Sequence, residues 1–153
     1  MFYVSKVNIK KNTARAKHIR SLIEANISLQ SPLVFIFYNF KKPLSKPNQL
    51  KVLLNNCFFE KKPIYTRDIE FALLAALFKL KTIYEIHQFG MIRKSSKFSY
   101  INLLILNFLS KLGNVKFVCL TSNSVRTLKY LYPKISKQRL FIIPDAGGFI
   151  NAN

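Results

Sequence analysis

The sequence has few glycines, and none of them falls in a phosphate-binding pattern. The chain contains four, Gly90, Gly113, Gly147 and Gly148. They form neither G-x-G-x-x-G nor a P-loop, and the G-x-S-x-G turn of serine hydrolases is missing as well. Nucleotide cradles of those two kinds and a serine-hydrolase elbow are therefore excluded.

Cysteine and histidine are equally scarce, with two of each. Cys57 and Cys119 lie far apart in apolar surroundings, so we expect small buried hydrophobic residues in a reducing compartment and no disulfide. No Cys or His pair has the short spacing of zinc ligands. We therefore predict no metal site.

Long apolar runs are also missing. The longest uninterrupted one, Phe71 to Phe78, is far short of the roughly 20 residues that a membrane-spanning helix needs. The first residues, MFYVSKVNIKK, do not have the apolar segment and cleavage site of a secretion leader. We expect a cytoplasmic protein, with peripheral attachment at the inner face of the plasma membrane as an additional option.

Acidic residues are few, and this imbalance gives the chain its most distinctive property. Six Asp and Glu stand against 25 Lys and Arg, for a formal net charge of +19. Such a charge suggests an anionic partner: nucleic acid, acidic lipid or a phosphorylated substrate. The alternative is lysine-rich composition dispersed over a solvated surface. The aromatic signature of RNA-binding domains is not present, which makes nucleic acid the less favoured partner.

What the sequence does contain is an alternation of short β-branched or aromatic runs with segments of helical period. With 50% apolar residues in 153, one compact α/β domain with a doubly wound, mostly parallel, Rossmann-like sheet is predicted. The predicted strands are Phe2–Val7, Leu33–Tyr38, Pro63–Thr66, Thr82–His87, Val115–Leu120 and Leu140–Pro144. Four helices are predicted: Thr13–Ala25 with Asn12 or Thr13 as its cap, Ile69–Leu80 with Asp68 as its cap, Tyr100–Leu112, and a helix that runs to Tyr132 with Ser122 or Asn123 as its cap. Loops are predicted at Asn39–Asn48 and Gln88–Lys97.

Polar residues follow several of these strands. In doubly wound sheets ligands bind beyond the carboxyl ends of the strands, so these residues should ring one edge. They are Lys10, Lys11, Asn12 and Thr13 after the first strand, Arg67 and Asp68 after the third, and His87, Arg93 and Lys94 after the fourth. A phosphate-bearing ligand would meet several positive groups there.

The stretch from Ile64 to Gly90 carries two motifs, Tyr65-Thr66-Arg67 and Tyr84-Glu85-Ile86-His87, separated by a helix. Three further segments follow the same order: HIRSLIEA, VCLTSNSVRTLKYL and FIIPDAG. This layout resembles the amino-terminal domain of family 4 glycosyltransferases, which have the two-domain glycosyltransferase B fold. The first loop departs from the family pattern because Lys10 to Thr13 include no glycine.

The resemblance implies a retaining sugar transfer from a nucleotide-diphosphate sugar to a saccharide or lipid-linked acceptor, typically in envelope polysaccharide synthesis, with no metal and no other cofactor. It implies that His87, as the catalytic group, contacts the transferred sugar or its acceptor. The residues that we predict to bind substrate are Lys11, Asn12, Thr13, Arg67, Glu85 and Ser122.

The same resemblance implies a partner domain that is not encoded here. Family members grip the donor in a second domain with a spaced pair of glutamates, and Glu24, Glu60, Glu70 and Glu85 do not have that spacing. We expect the chain to be the acceptor-side half, inactive without a donor-binding domain. The rival hypothesis is a non-catalytic basic module that binds nucleic acid or an anionic membrane.

Several residues keep a structural alternative. His87 could hydrogen-bond a loop, and Arg67 could pair with Asp68 or Glu70 instead of a phosphate. Ser122 is as compatible with a helix cap as with a ligand contact, and Glu85 is expected to orient a neighbour.

The helix Tyr100–Leu112 has only a thin polar stripe and follows a basic loop. It is compatible with a membrane-surface helix but fits better as a helix buried against the sheet.

Overall fold

The computed structural model describes residues 1–28, 34–37, 47–86 and 97–143, and they form a parallel sheet flanked by helices. The six strands are β1 (Phe2–Ser5), β2 (Val34–Phe37), β3 (Ile64–Thr66), β4 (Thr82–Ile86), β5 (Val115–Cys119) and β6 (Leu140–Ile142). All five strand pairs are parallel, in the order β2-β1-β3-β4-β5-β6. The predicted doubly wound α/β fold is confirmed.

The direction of winding reverses between β1 and β3. From β1 the chain moves outward to β2, then returns to the other side of β1 and continues through β3 to β6. The crevice beyond the carboxyl ends of the strands at such a switch point is the usual ligand-binding position of open parallel sheets. Here the residues at that position are Ser5 and Lys6 after β1, and Arg67 and Asp68 after β3.

Five α-helices connect the strands: α1 (Ala14–Ser28), α2 (Pro47–Asn55), α3 (Ile69–Leu77), α4 (Lys97–Lys111) and α5 (Ser122–Leu131). A π-helix, Asn56–Glu60, continues α2, and a 3-10 helix, Lys137–Arg139, precedes β6.

Helix α3 joins two hydrophobic clusters. Phe71 and Ala75 face a cluster with β1, β2, β3, α2 and the π-helix, whereas Ala72 and Ala76 face a second cluster with α4, β5 and α5. The spacing of four residues within each pair places its members on one side of the helix. Cys57 lies in the first cluster and Cys119 in the second, both as buried free thiols.

Helix α2 and the π-helix were not predicted. Pro47 and Asn48 were predicted to end a loop, but α2 begins at Pro47. Proline is favourable at the first helical position because the N–H that it lacks would have no partner there. The rest of the predicted loop, and the loop Gln88–Lys97 up to residue 96, lie outside the described residues.

The helix starts confirm one predicted cap and correct two. Thr13 Oγ1 accepts a hydrogen bond from the Ala16 N–H at 3.2 Å, as a cap of α1 should. Asp68 precedes α3 as expected, yet its carboxylate makes no capping hydrogen bond. The cap of α5 is Thr121, which accepts from the Ser124 N–H at 3.1 Å, so the predicted cap at Ser122 or Asn123 was wrong.

Candidate anion-binding site at the carboxyl edge

A buried polar cluster lies on β1, β3 and β4 where the strands approach their carboxyl ends. Tyr3 and Tyr65 are paired in register on neighbouring strands, with ring centroids 5.5 Å apart. The Tyr65 hydroxyl donates to Glu85 Oε2 at 2.5 Å. Arg67 Nε lies 3.3 Å from Glu85 Oε1, and the two side chains are only 1% and 2% exposed. Glu85 therefore holds both Tyr65 and Arg67.

The ion pair leaves most of the Arg67 guanidinium without hydrogen bonds. Among the described residues no acceptor of suitable geometry reaches Nε, Nη1 or Nη2, although all three atoms are buried. The Tyr3 hydroxyl and Arg15 Nε are in the same condition. A buried donor without a partner costs about 1–3 kcal/mol, and such groups in a native structure call for an explanation such as a ligand or a water molecule.

Electrostatics keeps the two tyrosines as neutral donors. Burial raises the pKa of Tyr3 far above its usual range, and the nearby positive charge of Arg67 opposes that shift only in part. Burial also raises the pKa of Tyr65, and the negative charge of Glu85 raises it further. The Tyr3 hydroxyl therefore keeps its hydrogen at neutral pH and can donate it, beside the unpaired N–H groups of Arg67. Such a set of donors suits an anion or the oxygens of a sugar.

A second cluster at the same edge is centred on the buried carboxylate of Asp68. The Asp68 carboxylate, 2% exposed, accepts hydrogen bonds from Ser5 Oγ at 3.1 Å, the Lys6 N–H at 3.0 Å and Arg15 Nη2 at 2.7 Å. Lys6 Nζ also contacts Glu70 at 2.7 Å. Asp68 thus fastens the end of β1 and the first turn of α1 to the start of α3, which explains why it does not cap its own helix.

The loop before α1 is ordered without glycine. Arg20 Nη1 donates to the carbonyl oxygens of Ile9 and Lys11 at 2.5 and 3.3 Å, and the Lys11 N–H donates to the Asn8 carbonyl at 3.2 Å. Lys11, Asn12 and Thr13 are all exposed. Their predicted role in substrate binding stays a prediction.

Of the predicted site residues, the structure brings Arg67 and Glu85 together. The partner of Arg67 is Glu85, and the sequence alternative of a pair with Asp68 or Glu70 was wrong, because Asp68 is occupied by Arg15 and Glu70 by Lys6. Ser122 lies exposed at the start of α5, beyond β5 and so two strands from β3.

Three of the predicted edge residues lie outside the described residues: His87, Arg93 and Lys94.

Sequence reasoning missed Tyr3 and Arg15. A signal for Tyr3 was available in β1: Tyr3 and Ser5 are two residues apart, so both side chains lie on the sheet face opposite to that of Phe2 and Val4. Arg15 gave no signal of its own, because its position depends on how α1 crosses the edge of the sheet.

Neither a membrane-spanning helix nor a metal-binding cluster occurs in the described ranges. No helix there is long and apolar enough to span a membrane. Nor does any group of three or more His, Cys, Asp or Glu side chains in those ranges lie close enough together to hold a metal ion.

Comparison of the chain with protein-family models, curated proteins and solved structures finds no significant match.

Proposed function

We propose that this chain is the acceptor-side half of a glycosyltransferase that uses a nucleotide-diphosphate sugar. In this proposal the half binds a saccharide acceptor bearing a phosphate or diphosphate, such as a lipid-linked sugar. The observation that carries the proposal is the buried guanidinium of Arg67, held by Glu85 and left with free donors beside the Tyr3 hydroxyl.

The position of the cluster supports the proposal. Arg67 follows β3, next to the switch point at which doubly wound sheets bind their ligands. The motifs Tyr65-Thr66-Arg67 and Tyr84-Glu85-Ile86, on which the family resemblance depends, lie on adjacent parallel strands. The two motifs therefore contribute to one cluster, as a shared substrate site requires.

The chemistry of the cluster supports a phosphate-bearing ligand. A guanidinium presents a planar set of N–H donors that matches two phosphate oxygens at once, and Glu85 fixes its orientation from one side. The Tyr3 hydroxyl adds a neutral donor that suits a sugar or phosphate oxygen. The high net positive charge favours the approach of an anionic acceptor. The catalytic role of His87 belongs to the same proposal.

The test is binding, because transfer is expected to need the donor-binding half. Calorimetry would compare three probes on the whole chain: a short-chain prenyl-diphosphate saccharide, the same saccharide without diphosphate, and inorganic pyrophosphate. We expect the first to bind most tightly, because only this probe offers both phosphate and sugar oxygens.

A paired substitution identifies the site. Arg67→Gln with Glu85→Gln removes both buried charges together and so avoids leaving one of them unpaired. It should weaken binding of the prenyl-diphosphate saccharide at least about tenfold, the loss expected for one charge-assisted hydrogen bond.

The matched control is Lys62→Gln with Glu60→Gln, which removes an ion pair at the opposite edge of the sheet and should leave affinity within about twofold. Circular dichroism verifies the fold of each variant. Wild-type affinity in a folded chain with Arg67→Gln and Glu85→Gln would refute the proposed binding site. Equal binding of all three probes would refute the proposed phosphate-bearing saccharide acceptor.

A further inference from the structure

The opposite, amino edge of the sheet has an exposed aromatic surface. The π-helix projects Phe58 and Phe59 outward, 55% and 79% exposed, and the end of α3 adds Leu77 at 60%. Phe58 packs edge-to-face on Phe78 with ring centroids 4.8 Å apart. We refer to Phe58, Phe59, Leu77 and Phe78, together with the apolar groove beside them, as the aromatic patch.

An apolar groove of about 730 Å³ continues the patch along α2 and the π-helix. Its walls include Val52, Leu54, Phe58 and Phe59, and the first two are also exposed. The surface is thus continuous over two helical segments, whereas large exposed apolar side chains usually stand singly.

Two buried residues anchor the π-helix that carries the patch. Asn56 is fully buried, donates to the Lys62 carbonyl at 3.1 Å and accepts from the Lys62 N–H at 2.9 Å. Cys57 is buried in the hydrophobic core beside it. The π-helix is therefore anchored through two successive buried residues, and the next two residues are the exposed phenylalanines.

Lysines surround the aromatic patch. Lys61 and Lys62 follow the π-helix, Lys79 and Lys81 follow α3, and Lys51 lines the groove. Lys61 Nζ lies 5.9 Å from the centroid of the Phe78 ring. The backbone N–H of the first residue of β3 donates to the Lys81 carbonyl, which joins the two lysine-bearing segments.

The acidic side chain that lines the groove, Glu60, already has partners. It contacts Lys62 Nζ at 2.7 Å and accepts a hydrogen bond from Asn55. The hydrogen bond with Lys62 lowers the pKa of Glu60, so this carboxylate stays ionised while the other lysines around the patch keep a net positive charge.

We propose that the aromatic patch and its lysines form a contact surface for an anionic lipid bilayer. Phenylalanine and leucine side chains enter the interfacial region while lysines reach the headgroups, as in other peripheral membrane proteins. The long lysine side chains can lie along apolar surface and keep their ammonium groups in water. This surface is separate from the Arg67 cluster and does not depend on the function proposed for that cluster.

Charge complementarity selects the amino edge over the exposed side of α4. Helix α4 also exposes apolar side chains, Tyr100, Ile101, Leu104 and Phe108, but Lys111 is the one basic residue among its described side chains. Anionic headgroups reward each nearby lysine by about 1 kcal/mol, and among the described residues the patch is where lysines surround exposed aromatic side chains. Membrane contact through the exposed side of α4 is the competing outcome of the test.

The first experiment uses the fact that the chain contains no tryptophan. Phe59→Trp places a single fluorescent reporter in the patch, Phe108→Trp places one on α4, and Tyr130→Trp places one on α5, where Tyr130 is 87% exposed. With vesicles of phosphatidylglycerol and phosphatidylcholine, Phe59→Trp should shift to the blue and be quenched by brominated acyl chains, and the other two should not. Quenching of Phe108→Trp instead would overturn the proposal.

The second experiment measures partitioning onto the same vesicles by cosedimentation. Phe59→Ser, which changes no charge, should weaken partitioning about tenfold because a phenylalanine side chain no longer leaves water. Lys79→Gln with Lys81→Gln should weaken it about 25-fold, about fivefold for each lysine.

The matched controls are Tyr130→Ser and the pair Lys129→Gln with Lys137→Gln, which should change partitioning less than about twofold because they lie away from the patch. Equal losses in the controls would show attraction by total charge alone and overturn the proposal. So would tight binding of a single-stranded polynucleotide that is lost in Phe59→Ser to the same degree.

Discussion

Two tyrosines on neighbouring strands differ in the hydrogen bonding of their hydroxyl groups, and this difference gives the sharpest prediction. Tyr3 and Tyr65 are aligned in register with stacked rings. Tyr65 donates its hydroxyl hydrogen to Glu85, whereas the buried Tyr3 hydroxyl has no partner among the described residues. Replacing each by phenylalanine removes one oxygen and preserves the ring.

The two substitutions should have opposite effects on stability. Tyr65→Phe loses a hydrogen bond to a charged carboxylate, which contributes about 1.5–3 kcal/mol. Tyr3→Phe removes a buried hydroxyl that gains nothing in the free protein, so we expect the free energy of unfolding to stay unchanged or to rise by about 1 kcal/mol. The two variants should therefore differ by about 3 kcal/mol.

Urea unfolding at pH 7 and 25 °C, followed by far-ultraviolet circular dichroism without added ligand, measures this difference. With a denaturant slope of about 2 kcal/mol per molar urea, the midpoints of the two variants should lie about 1.5 M apart. A loss of stability in Tyr3→Phe as large as that in Tyr65→Phe would refute the reasoning, because it would show that the Tyr3 hydroxyl is already satisfied.

Three further predictions concern stability. Asp68→Ala should cost about 2–4 kcal/mol in urea unfolding because it unpairs three donors, whereas exposed Glu70→Ala should cost less than about 0.5 kcal/mol; equal costs would contradict the role given to Asp68. Arg139→Ala should cost about 2–3 kcal/mol, because its guanidinium donates to three carbonyls between α4 and β5, and a thermal midpoint equal to that of wild type would argue against it. Burial raises the pKa of Cys119 from 9.0 to about 11. The neutral thiol therefore favours folding below pH 9, and this contribution is lost as the pH rises from 9 to 11. Between pH 8 and pH 9.5 the urea midpoint should decrease less in Cys119→Ala than in wild type.

Much of the fold was readable because parallel strands covered on both faces leave a strong apolar signal. The segment LVFIFY was predicted as a strand and contains β2, and VKFVCL contains β5. The order of alternation then implied a parallel sheet. Strand ends shifted by one or two residues, since the last hydrogen bonds of a strand depend on its neighbours and not on its own residues.

The helix before β3 could not be read in the same way. Lysines and two prolines between Asn39 and Asn48 favour a loop, and Pro47 reads equally as the end of a loop or as the start of a helix. Side-chain partners were harder still. Asp68 looked like a helix cap because aspartate commonly caps helices, yet Ser5 and Arg15, distant in sequence, compete successfully for its carboxylate.

The site was predictable in part. Arg67 and Glu85 follow from the rule that residues near the carboxyl ends of adjacent parallel strands lie close together. Their ion pair, and the guanidinium atoms that it leaves without hydrogen bonds, depend on side-chain geometry. Neighbouring residues in the sequence do not determine that geometry. The aromatic patch was missed for the same reason: NNCFF looks like a buried segment until the π-helix turns its two phenylalanines outward.

The central claim is that the free donors of Arg67 bind an anionic acceptor. Heteronuclear NMR of the uniformly nitrogen-15-labelled chain observes the Arg67 Nε–H signal directly, and the Arg67→Lys spectrum assigns it because only that signal disappears. Titration with the prenyl-diphosphate saccharide should shift the Arg67 signal saturably and leave the Nε–H of Arg139, which donates to the Val115 carbonyl, in place. Saturable binding that moves other signals while the Arg67 signal stays fixed would contradict the account.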